Sequence, residues 1–229
     1  MNKPANYPPV TVIICTLNEA ESLPYVLPKI PDWVDEIILV DGHSTDATTE
    51  VAKKFCPRIR VLYQTGKGKG DALKMGIHEA KGEIIVTLDA DGATDPTEIY
   101  KFITPLMNGY DFVKGSRFHG DFPRHRPLYR LIGNWIITLT FDTLFFCRYT
   151  DFCSGYNAFW RQKIENLNLL SADGFENEPL INARIRKYRL KVKEVSHKDE
   201  GRIAGDVKEA SWRQGFKAIK GIIRERFRD

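Results

Sequence analysis

Two aspartates, Asp89 and Asp91, stand two residues apart where an apolar run ends in the segment VTLDADGATDP, residues 86–96. Carboxylate oxygens are the ligands that Mg²⁺ and Mn²⁺ prefer, and these ions commonly bridge a protein to the phosphate oxygens of a nucleotide. The spacing therefore predicts a divalent-cation site, with Asp91 as a direct ligand and Asp89 on the metal or on a sugar. Asp95 follows at the start of the next helix, where we expect a helix cap.

Polar residues also follow the other apolar runs of the amino-terminal half. Asp41 ends the run EIILVD, where its carboxylate can accept hydrogen bonds from a base or a ribose. The segment TGKGKGDAL, residues 65–73, lacks the spacing of a Walker-type phosphate loop, so an NTPase of that type is disfavoured. Lys67 or Lys69 of this segment, together with its backbone, can still bind a phosphorylated ligand.

Arginines suited to phosphate recur after the fifth predicted strand and again far downstream. Arg117 stands at the carboxyl end of a strand and Arg202 in a glycine-flanked loop, so both are predicted to contact a phosphate. Arg124 is interpreted as surface charge, and Arg126 is left open between the two roles. The sequence contains no GxSxG, HExxH or Cys-His nucleophile pattern, and its five histidines are expected at the surface or in local hydrogen bonds.

The sequence predicts strands that alternate with helices, and these elements must position the polar residues. The apolar runs of strand length are VTVIICT, EIILVD, RIRVLY, EIIVTL and part of DFVKGSRF. This alternation predicts right-handed βαβ units in a mostly parallel sheet, with helices on both faces. Because ligands bind beyond the carboxyl ends of parallel strands, the polar strand ends should converge on one pocket.

The bulk composition is that of one globular domain. The chain has 229 residues, 42% of them hydrophobic, and its start MNKPANYPP lacks the apolar core of a signal peptide. Its four cysteines form no CxxC pair, so we expect reduced thiols in a cytoplasmic protein. No apolar stretch is long enough to span a membrane, and residues 131–147, interrupted by Asn134 and Asp142, are predicted to be a buried or interfacial helix.

The positive charge is concentrated at the carboxyl terminus. Residues 207–229 contain seven Lys or Arg against three Asp or Glu, which accounts for the whole net charge of +4 and disfavours general nucleic-acid binding. The large apolar residues there recur every three or four positions: Trp212, Phe216, Ile219, Ile223 and Phe227. A helix with this spacing has an apolar and a basic face, and it docks either on its own domain or on a membrane surface.

Four segments together resemble family-2 glycosyltransferases of the GT-A fold, and among them the polyprenyl-phosphate sugar synthases such as dolichol-phosphate mannose synthase. They are VTVIICTLNEAESL, EIILVDGHSTDAT, GKGKGDALKMGIHEAKGEIIVTLDADGATDP and FVKGSRF. The similarity is specific over residues 10–118 and looser as far as 205. It implies a GT-A catalytic domain over 1–206 with a Rossmann-like α/β sheet, followed by the amphipathic helix of 207–229.

The resemblance also implies roles for individual residues. Asn18, Glu19 and Asp41 would bind the nucleoside, and Asp89 and Asp91 would hold Mg²⁺ or Mn²⁺ on the diphosphate. The full set predicted to bind the donor and its metal is Thr16, Asn18, Glu19, Asp41, Gly42, Lys67, Asp71, Asp89, Ala90 and Asp91. The set predicted to be catalytic is Asp89, Asp91, Arg117, Arg130, Arg202 and Glu176.

Later segments match the family more loosely. Asp151, Ser154, Gly155 and Tyr156 match its D-x-x-SG-[FY] pattern, Glu176 belongs to its acidic GFE segment, and 202–205 match an arginine loop that the family continues with serine. Asp206 replaces that serine here.

The implied reaction is an inverting, metal-dependent transfer of a sugar from UDP- or GDP-hexose to polyprenyl or dolichyl phosphate, positioned by Arg117, Arg130 and Arg202. A hydroxyl acceptor, soluble or glycolipid, would instead need a base, for which Glu176, Glu178 or Asp151 are candidates.

Other functions are weighed against this transfer. The signature loop of nucleotidyltransferases is absent from the sequence, which disfavours that class. A non-catalytic sugar-nucleotide sensor or scaffold is disfavoured because Asp89 and Asp91, here called the acid pair, are both present. The expected location is cytoplasmic or peripheral on the cytoplasmic face of a membrane, and the oligomeric state, a homo-oligomer included, is left open.

Overall fold

The computed structural model describes residues 7–118, 126–165, 177–204 and 212–227, without the side chains of 177–179 and 212–214. The strands are β1 Val10–Thr16, β2 Glu36–Asp41, β3 Arg60–Tyr63, β4 Ile84–Asp89, β5 Phe112–Ser116, β6 Asn157–Trp160 and β7 Val192–Ser196. The helices are α1 Leu23–Val26, α2 Thr48–Phe55, α3 Gly68–Glu79, α4 Ile99–Met107, α5 Leu128–Phe145, α6 Arg161–Glu165, α7 Asn177–Lys187 and α8 Trp212–Arg226, with 3₁₀ turns at Leu27–Lys29 and Pro96–Glu98.

The seven strands found in the described residues belong to one sheet, in the order β3-β2-β1-β4-β6-β5-β7. β1 to β4 run parallel to one another, β6 is antiparallel to β4 and β5, and β7 is parallel to β5. The prediction of an α/β fold with a mostly parallel sheet is therefore confirmed.

The last two strands were not predicted from the sequence. β6 has only four residues and follows Gly155, while β7 interrupts its valines with Lys193 and Glu194, so neither is an apolar run. Five of the seven strands were predicted, and β3 begins two residues later than the run RIRVLY.

Both faces of the sheet are covered by helices, as the apolar strands predicted. In β1, Val12 and Ile14 belong to a core cluster that contains Phe102 of α4, whereas Ile13 belongs to a second cluster with Ile77 of α3. Alternate side chains of a strand point to opposite faces, so β1 is apolar because both of its faces are buried.

A third core cluster joins α5, α7 and α8 and includes Phe141, Ala183 and Ile222. α5 begins three residues before the predicted segment 131–147. The inward side of α8 is buried on this cluster, so the carboxyl-terminal helix docks on its own domain. Among the described residues, no helix combines the length and the apolar character needed to cross a bilayer.

Candidate active site

The carboxyl ends of β1, β2 and β4 lie level at one edge of the sheet. Thr16 at the end of β1 pairs with Asp41 at the end of β2, and Cys15 pairs with Asp89 at the end of β4. β2 and β3 lie on one side of β1 and β4 on the other, so the crevice between β1 and β4 is a switch point of the sheet. Open α/β sheets bind ligands at such a crevice.

Asp89 is held by a lysine from the first turn of α3. Lys69 Nζ donates to Asp89 Oδ1 at 2.7 Å, and the carboxylate lies so close to Gly155 that a Cβ atom there would come within 2.6 Å of Asp89 Oδ2. Burial acts to raise the pKa of Asp89, but the charge and hydrogen bond of Lys69 outweigh it, so the pKa is lowered. Asp89 therefore stays ionised.

Asp91 has the opposite electrostatic balance. Burial raises its pKa, and the negative charge of Asp89 raises it further, although the backbone N–H of Ala93 donates to Asp91 Oδ1 at 3.0 Å. Arg202 Nη1 lies 3.7 Å from Asp91 Oδ2, too far for a hydrogen bond. The negative charges of this turn are thus only partly compensated by protein groups.

These two carboxylates fit a divalent cation. The repulsion that raises the pKa of Asp91 is what a cation bound to both side chains would relieve. Within the described residues no cluster of three or more His, Cys, Asp or Glu side chains could enclose a metal. The carboxylate oxygens of Asp89 and Asp91 suit Mg²⁺ or Mn²⁺, which can bind through one or two carboxylates and complete their shell with water and phosphate oxygens.

The loops after β1 and β2 are tied together by side-chain hydrogen bonds. Asn18 has a left-handed backbone (φ 51°), its Oδ1 accepts from the backbone N–H of Thr45 at 2.7 Å, and its own N–H donates to Ser44 Oγ at 2.8 Å. Asn is among the few residues that adopt this conformation readily. Asn18 therefore fixes the two loops that the sequence assigned to the nucleoside.

Asp41 is almost completely buried and already has protein donors. Its carboxylate accepts from the N–H of Ser44 at 2.9 Å, from Ser44 Oγ at 2.5 Å and from Thr16 Oγ1 at 3.2 Å. The next residue, Gly42, donates its N–H to the carbonyl of Thr16, and a Cβ atom there would lie 3.1 Å from that oxygen. Asp41 thus organises the turn, and its predicted contact with a nucleoside stays a prediction.

The other donor-side predictions fall into three settings. Lys67 is exposed just before α3, and Lys69 instead reaches the acid pair. Asp71 accepts from the N–H of Gly66 at 2.7 Å and so closes its own loop. The side chain of Ala90 belongs to the first core cluster, which leaves only its backbone to face a ligand.

Arg117 forms a buried ion pair with Asp151. Its Nε and Nη2 donate to the two carboxylate oxygens at 2.6 and 2.8 Å, and its backbone N–H donates at 3.1 Å. Asn134 of α5 donates to the same carboxylate at 3.1 Å. Burial would raise the pKa of Asp151, but the Arg117 guanidinium holds it far below its usual range. Asp151 is therefore unsuited to the role of general base that the sequence left open for it.

Arg202 reaches across from the segment after β7 to the loop after β1. Its Nη2 donates to both carboxylate oxygens of Glu19 at 2.7 Å. Glu19 is buried, and its N–H is anchored on Thr48 Oγ1 at 2.9 Å. The contact joins the predicted nucleoside side of the site to the predicted phosphate side.

The Arg202 segment, residues 198–204, is hydrogen-bonded along the turn that follows β4. The N–H of Ile203 donates to the carbonyl of Asp91 at 2.9 Å, and the N–H of Glu200 donates to that of Ala93 at 3.1 Å. Ile203 also covers Gly92, whose φ of +80° suits glycine. These backbone hydrogen bonds thus fix the position of the Arg202 segment relative to the acid pair.

Two further arginines that the sequence singled out, Arg126 and Arg130, bond to groups other than Asp89 and Asp91. Arg126 forms an ion pair with Asp199 of the Arg202 segment. Arg130, on the first turn of α5, donates to the hydroxyl of Tyr129 at 3.2 Å, so its predicted phosphate contact stays a prediction.

Sequence reasoning missed two groups that shape this region. His197 is buried, with its ring nitrogens on Ser154 Oγ at 3.0 Å and on the carbonyl of Lys198 at 2.9 Å. Lys114 is completely buried, and its Nζ donates to the carbonyl of Ser154 at 3.0 Å. His197 directly follows β7, so the rule that located the other strand-end residues would have found it had β7 been predicted.

Several predicted residues lie outside the described residues. They are Arg124, Gly174, Phe175, Glu176, Gly205, Asp206 and the side chain of Glu178.

Curated proteins similar to this chain include three sugar transferases. Glycosyltransferase AglJ of Haloferax volcanii is 33% identical over 188 residues, which are 80% of this chain and 60% of AglJ. A dolichyl-phosphate hexose transferase of the same organism is 26% identical over 218 residues, 94% of this chain and 92% of that protein. A dolichol-phosphate mannosyltransferase of Pyrococcus furiosus is 36% identical over 129 residues, 53% of this chain and 37% of that protein.

Solved structures share the fold at lower identity. Glucosyl-3-phosphoglycerate synthase of Mycobacterium tuberculosis in complex with phosphoglyceric acid has a TM-score of 0.77 at 22% identity, covering 95% of this chain and 80% of that one. The same enzyme in complex with Mn²⁺, UDP and glucosyl-3-phosphoglycerate has a TM-score of 0.75 at 20% identity, covering 99% and 86%.

The match to a protein family covers the strands and loops that carry this site. Residues 11–167 match the family described as Glycosyl transferase family 2. That span includes the acid pair, Lys69 and the Arg117–Asp151 pair. Because it covers more than half of the chain, the resemblance found in the sequence is confirmed: the chain belongs to glycosyl transferase family 2.

Proposed function

We propose that this protein transfers a hexose from a UDP- or GDP-sugar to the phosphate of a polyprenyl-type lipid, with inversion at the anomeric carbon. The observation that carries the proposal is the Asp89–Asp91 pair at the switch point of the sheet, with Lys69 and Arg202 beside it. Carboxylates and cations from separate loops at one crevice suit a ligand that is itself a metal-bound diphosphate.

The donor would lie along the carboxyl edge of the sheet. Asn18, Glu19 and Asp41 border the part assigned to the nucleoside, and Asp89 and Asp91 would hold Mg²⁺ or Mn²⁺. When bound, that metal would neutralise charge on the diphosphate leaving group. Lys69 and Arg202 add positive charge at the same place, which stabilises the charge that develops as the glycosidic bond breaks.

The state of Asp151 favours a phosphate acceptor over a hydroxyl. A hydroxyl must lose a proton as it attacks, whereas a phosphate is already anionic and needs no base. Asp151 is locked on Arg117, and Glu19 and Asp199 are paired with Arg202 and Arg126. Each of these three carboxylates is thus engaged by an arginine.

The name of the dolichyl-phosphate hexose transferase, which is similar over 94% of this chain, also supports a lipid phosphate as the acceptor. We place the reaction at the cytoplasmic surface of a membrane. The basic side of α8 supports this location, because it would be attracted to anionic lipid.

The test supplies UDP- and GDP-hexoses with Mn²⁺ and three acceptors: polyprenyl phosphate, the corresponding polyprenol, and phosphoglyceric acid. We expect sugar in the lipid phase and release of nucleoside diphosphate with polyprenyl phosphate alone. Transfer to polyprenol or phosphoglyceric acid at an equal rate would refute the lipid-phosphate acceptor. Donor binding without any turnover would instead favour a sensor.

The matched variants are Asp91→Asn and Asp95→Asn. Asp91→Asn should lower turnover by about a hundredfold or more, since it removes a carboxylate ligand of the metal that would neutralise the leaving diphosphate. Asp95 is in the same turn but caps the following 3₁₀ turn through the N–H of Thr97 at 3.0 Å, and asparagine caps equally well. Asp95→Asn should therefore leave turnover unchanged.

A further inference from the structure

The outer face of α5 is mainly apolar, with exposed Thr143 as a polar residue within it. Its large exposed side chains are Leu128, Tyr129, Ile132, Trp135, Ile136 and Leu139, and Phe146 follows the helix with 83% of its area exposed. These positions recur at the three- and four-residue spacing of one helix face. We call this set the α5 outer face.

None of the side chains that make up the α5 outer face is charged. The 18 residues of α5 contain two charged side chains, Arg130 and Asp142. Arg130 lies against the ring of Tyr129, and Asp142 accepts hydrogen bonds from the N–H of Tyr149 at 3.0 and 3.1 Å. An apolar face of this kind on a surface helix, with no charged side chain among its members, indicates a binding partner.

The neighbouring helix α8 adds positive charge. Its buried side carries Glu225, which pairs with Arg184 of α7, so the acid of α8 does not face solvent. The exposed ionisable side chains among those described on α8 are all basic: Lys217, Lys220, Arg224 and Arg226. Arg226 also donates to the carbonyl of Leu144 at 2.9 Å, which joins the carboxyl ends of α5 and α8. The apolar and basic surfaces therefore belong to adjacent helices.

The inner face of α5 contacts the candidate active site. Asn134 donates to Asp151, and Asp151 in turn holds Arg117. One helix thus has the site on its inner side and Trp135, 64% exposed, on its outer side. Whatever binds the outer face is brought within one helix diameter, about 10 Å, of the site.

We propose that the α5 outer face and the basic residues of α8 form one docking surface for an anionic lipid bilayer. The apolar side chains would enter the boundary between headgroups and acyl chains, where aromatic rings are favoured, and the lysines and arginines would meet anionic headgroups. This inference deepens the proposed function, on which it rests, by naming the surface that brings the site to the lipid.

Charge complementarity favours the bilayer over a second copy of the chain. A two-fold interface presents the same patch from both copies, so the basic side chains of both α8 helices would lie at one interface. Like charges would then repel, whereas an anionic bilayer attracts them.

The test measures co-sedimentation of the full chain with vesicles of phosphatidylcholine, with or without phosphatidylglycerol, in the absence of donor and acceptor. Trp135→Gln/Leu139→Gln should lower partitioning by about tenfold or more, because two apolar side chains no longer leave water. The matched control Tyr25→Gln/Tyr188→Gln changes two side chains that are equally exposed elsewhere, and should bind as the parent does. Lys217→Gln/Lys220→Gln should lose most of the preference for phosphatidylglycerol.

Circular dichroism and gel filtration accompany each variant. Equal vesicle binding by parent and Trp135→Gln/Leu139→Gln, or a parent that ignores vesicles, overturns the proposal. So does a parent dimer that the variant turns into a monomer without a change in vesicle binding. Because the vesicles contain no substrate, failure of transfer to polyprenyl phosphate would refute the proposed function while vesicle binding still reports on the docking surface.

Discussion

At the scale of single residues, similar side chains in this site have different electrostatic states. Asp89 and Asp91 are two residues apart, yet Lys69 lowers the pKa of the first, whereas burial and the charge of Asp89 raise that of the second. The sequence located both acids because a polar pair after an apolar strand is a local pattern. It could not reveal that Asp151 is locked on Arg117, because that pairing joins residues 34 positions apart.

His197 permits a test of burial at the residue scale. Its pKa is lowered, chiefly because burial disfavours the charged ring and also because Arg117 is near, while Asp151 and Asp199 act in the opposite direction. The unfolded chain therefore binds more protons than the folded chain between the lowered value and the ordinary 6.5. Stability from this group is complete above 6.5 and is lost as the pH falls through the folded pKa.

We expect the free energy of unfolding, measured with urea, to fall between about pH 7.5 and about pH 5, and to fall less in His197→Gln. Asp151 and Asp199 remain ionised over this range because their pKa values are lowered. An equal fall in both proteins would show that His197 does not carry the effect.

At the scale of elements, the alternation of apolar runs and helix signals was sufficient to predict the first five strands and their polar ends. It failed where an element is short or carries charge, as in β6 and β7. α5 was predicted as a helix from its apolar content, but Asn134 was noted only as an interruption. In the folded protein that residue contacts Asp151, which only the tertiary structure reveals.

The pairing of the Arg202 segment with the turn after β4 leads to a prediction for Gly92→Ala. A Cβ atom at Gly92 would lie 2.3 Å from Ile203 Cδ1, and the φ of +80° adds backbone strain of about 1–2 kcal/mol. We expect lower stability and faster amide hydrogen exchange at Ile203, whose N–H bonds the carbonyl of Asp91.

Gly109→Ala is the matched control for this substitution. Gly109 has a similar φ of +86°, but a Cβ atom there would meet nothing within 4 Å. Gly109→Ala should therefore lose stability through the backbone strain alone, without faster amide hydrogen exchange at Ile203. Unchanged protection of Ile203 in Gly92→Ala would mean that the segment is not positioned by this contact.

At the scale of the whole molecule, the carboxyl-terminal helix is fastened to the domain by an ion pair. Arg184 Nε and Glu225 Oε1 are 2.9 Å apart, and both side chains are nearly buried, at 6% and 5% exposure. Sequence periodicity predicted a two-faced helix at 207–229 but left open whether it docks on the domain or on a membrane. The structure shows that the helix docks on the domain. The basic side of the helix stays exposed and can still face a membrane.

Glu225→Gln should reduce the free energy of unfolding by about 3–5 kcal/mol, because it breaks the buried ion pair between Glu225 and Arg184. The double variant Arg184→Met/Glu225→Leu should recover most of that loss, since neither charge is then buried. Glu165→Gln removes the exposed pair of Arg161 and Glu165 and should cost only about 0.5 kcal/mol. Similar losses for Glu165→Gln and Glu225→Gln would contradict this account of how α8 is held.

The charges of β7 have a further consequence for the behaviour of the protein in solution. Among the strands that the structure describes, β7 is at one edge of the sheet, so one row of its backbone groups has no described strand beside it. A long apolar edge would invite another chain to add a strand, which is a route to aggregation, and charged side chains oppose it. Lys193 is exposed there and Glu194 is half-buried. Lys193 and Glu194 are the residues because of which β7 was not predicted as a strand. The same charges therefore oppose pairing of this edge with other molecules.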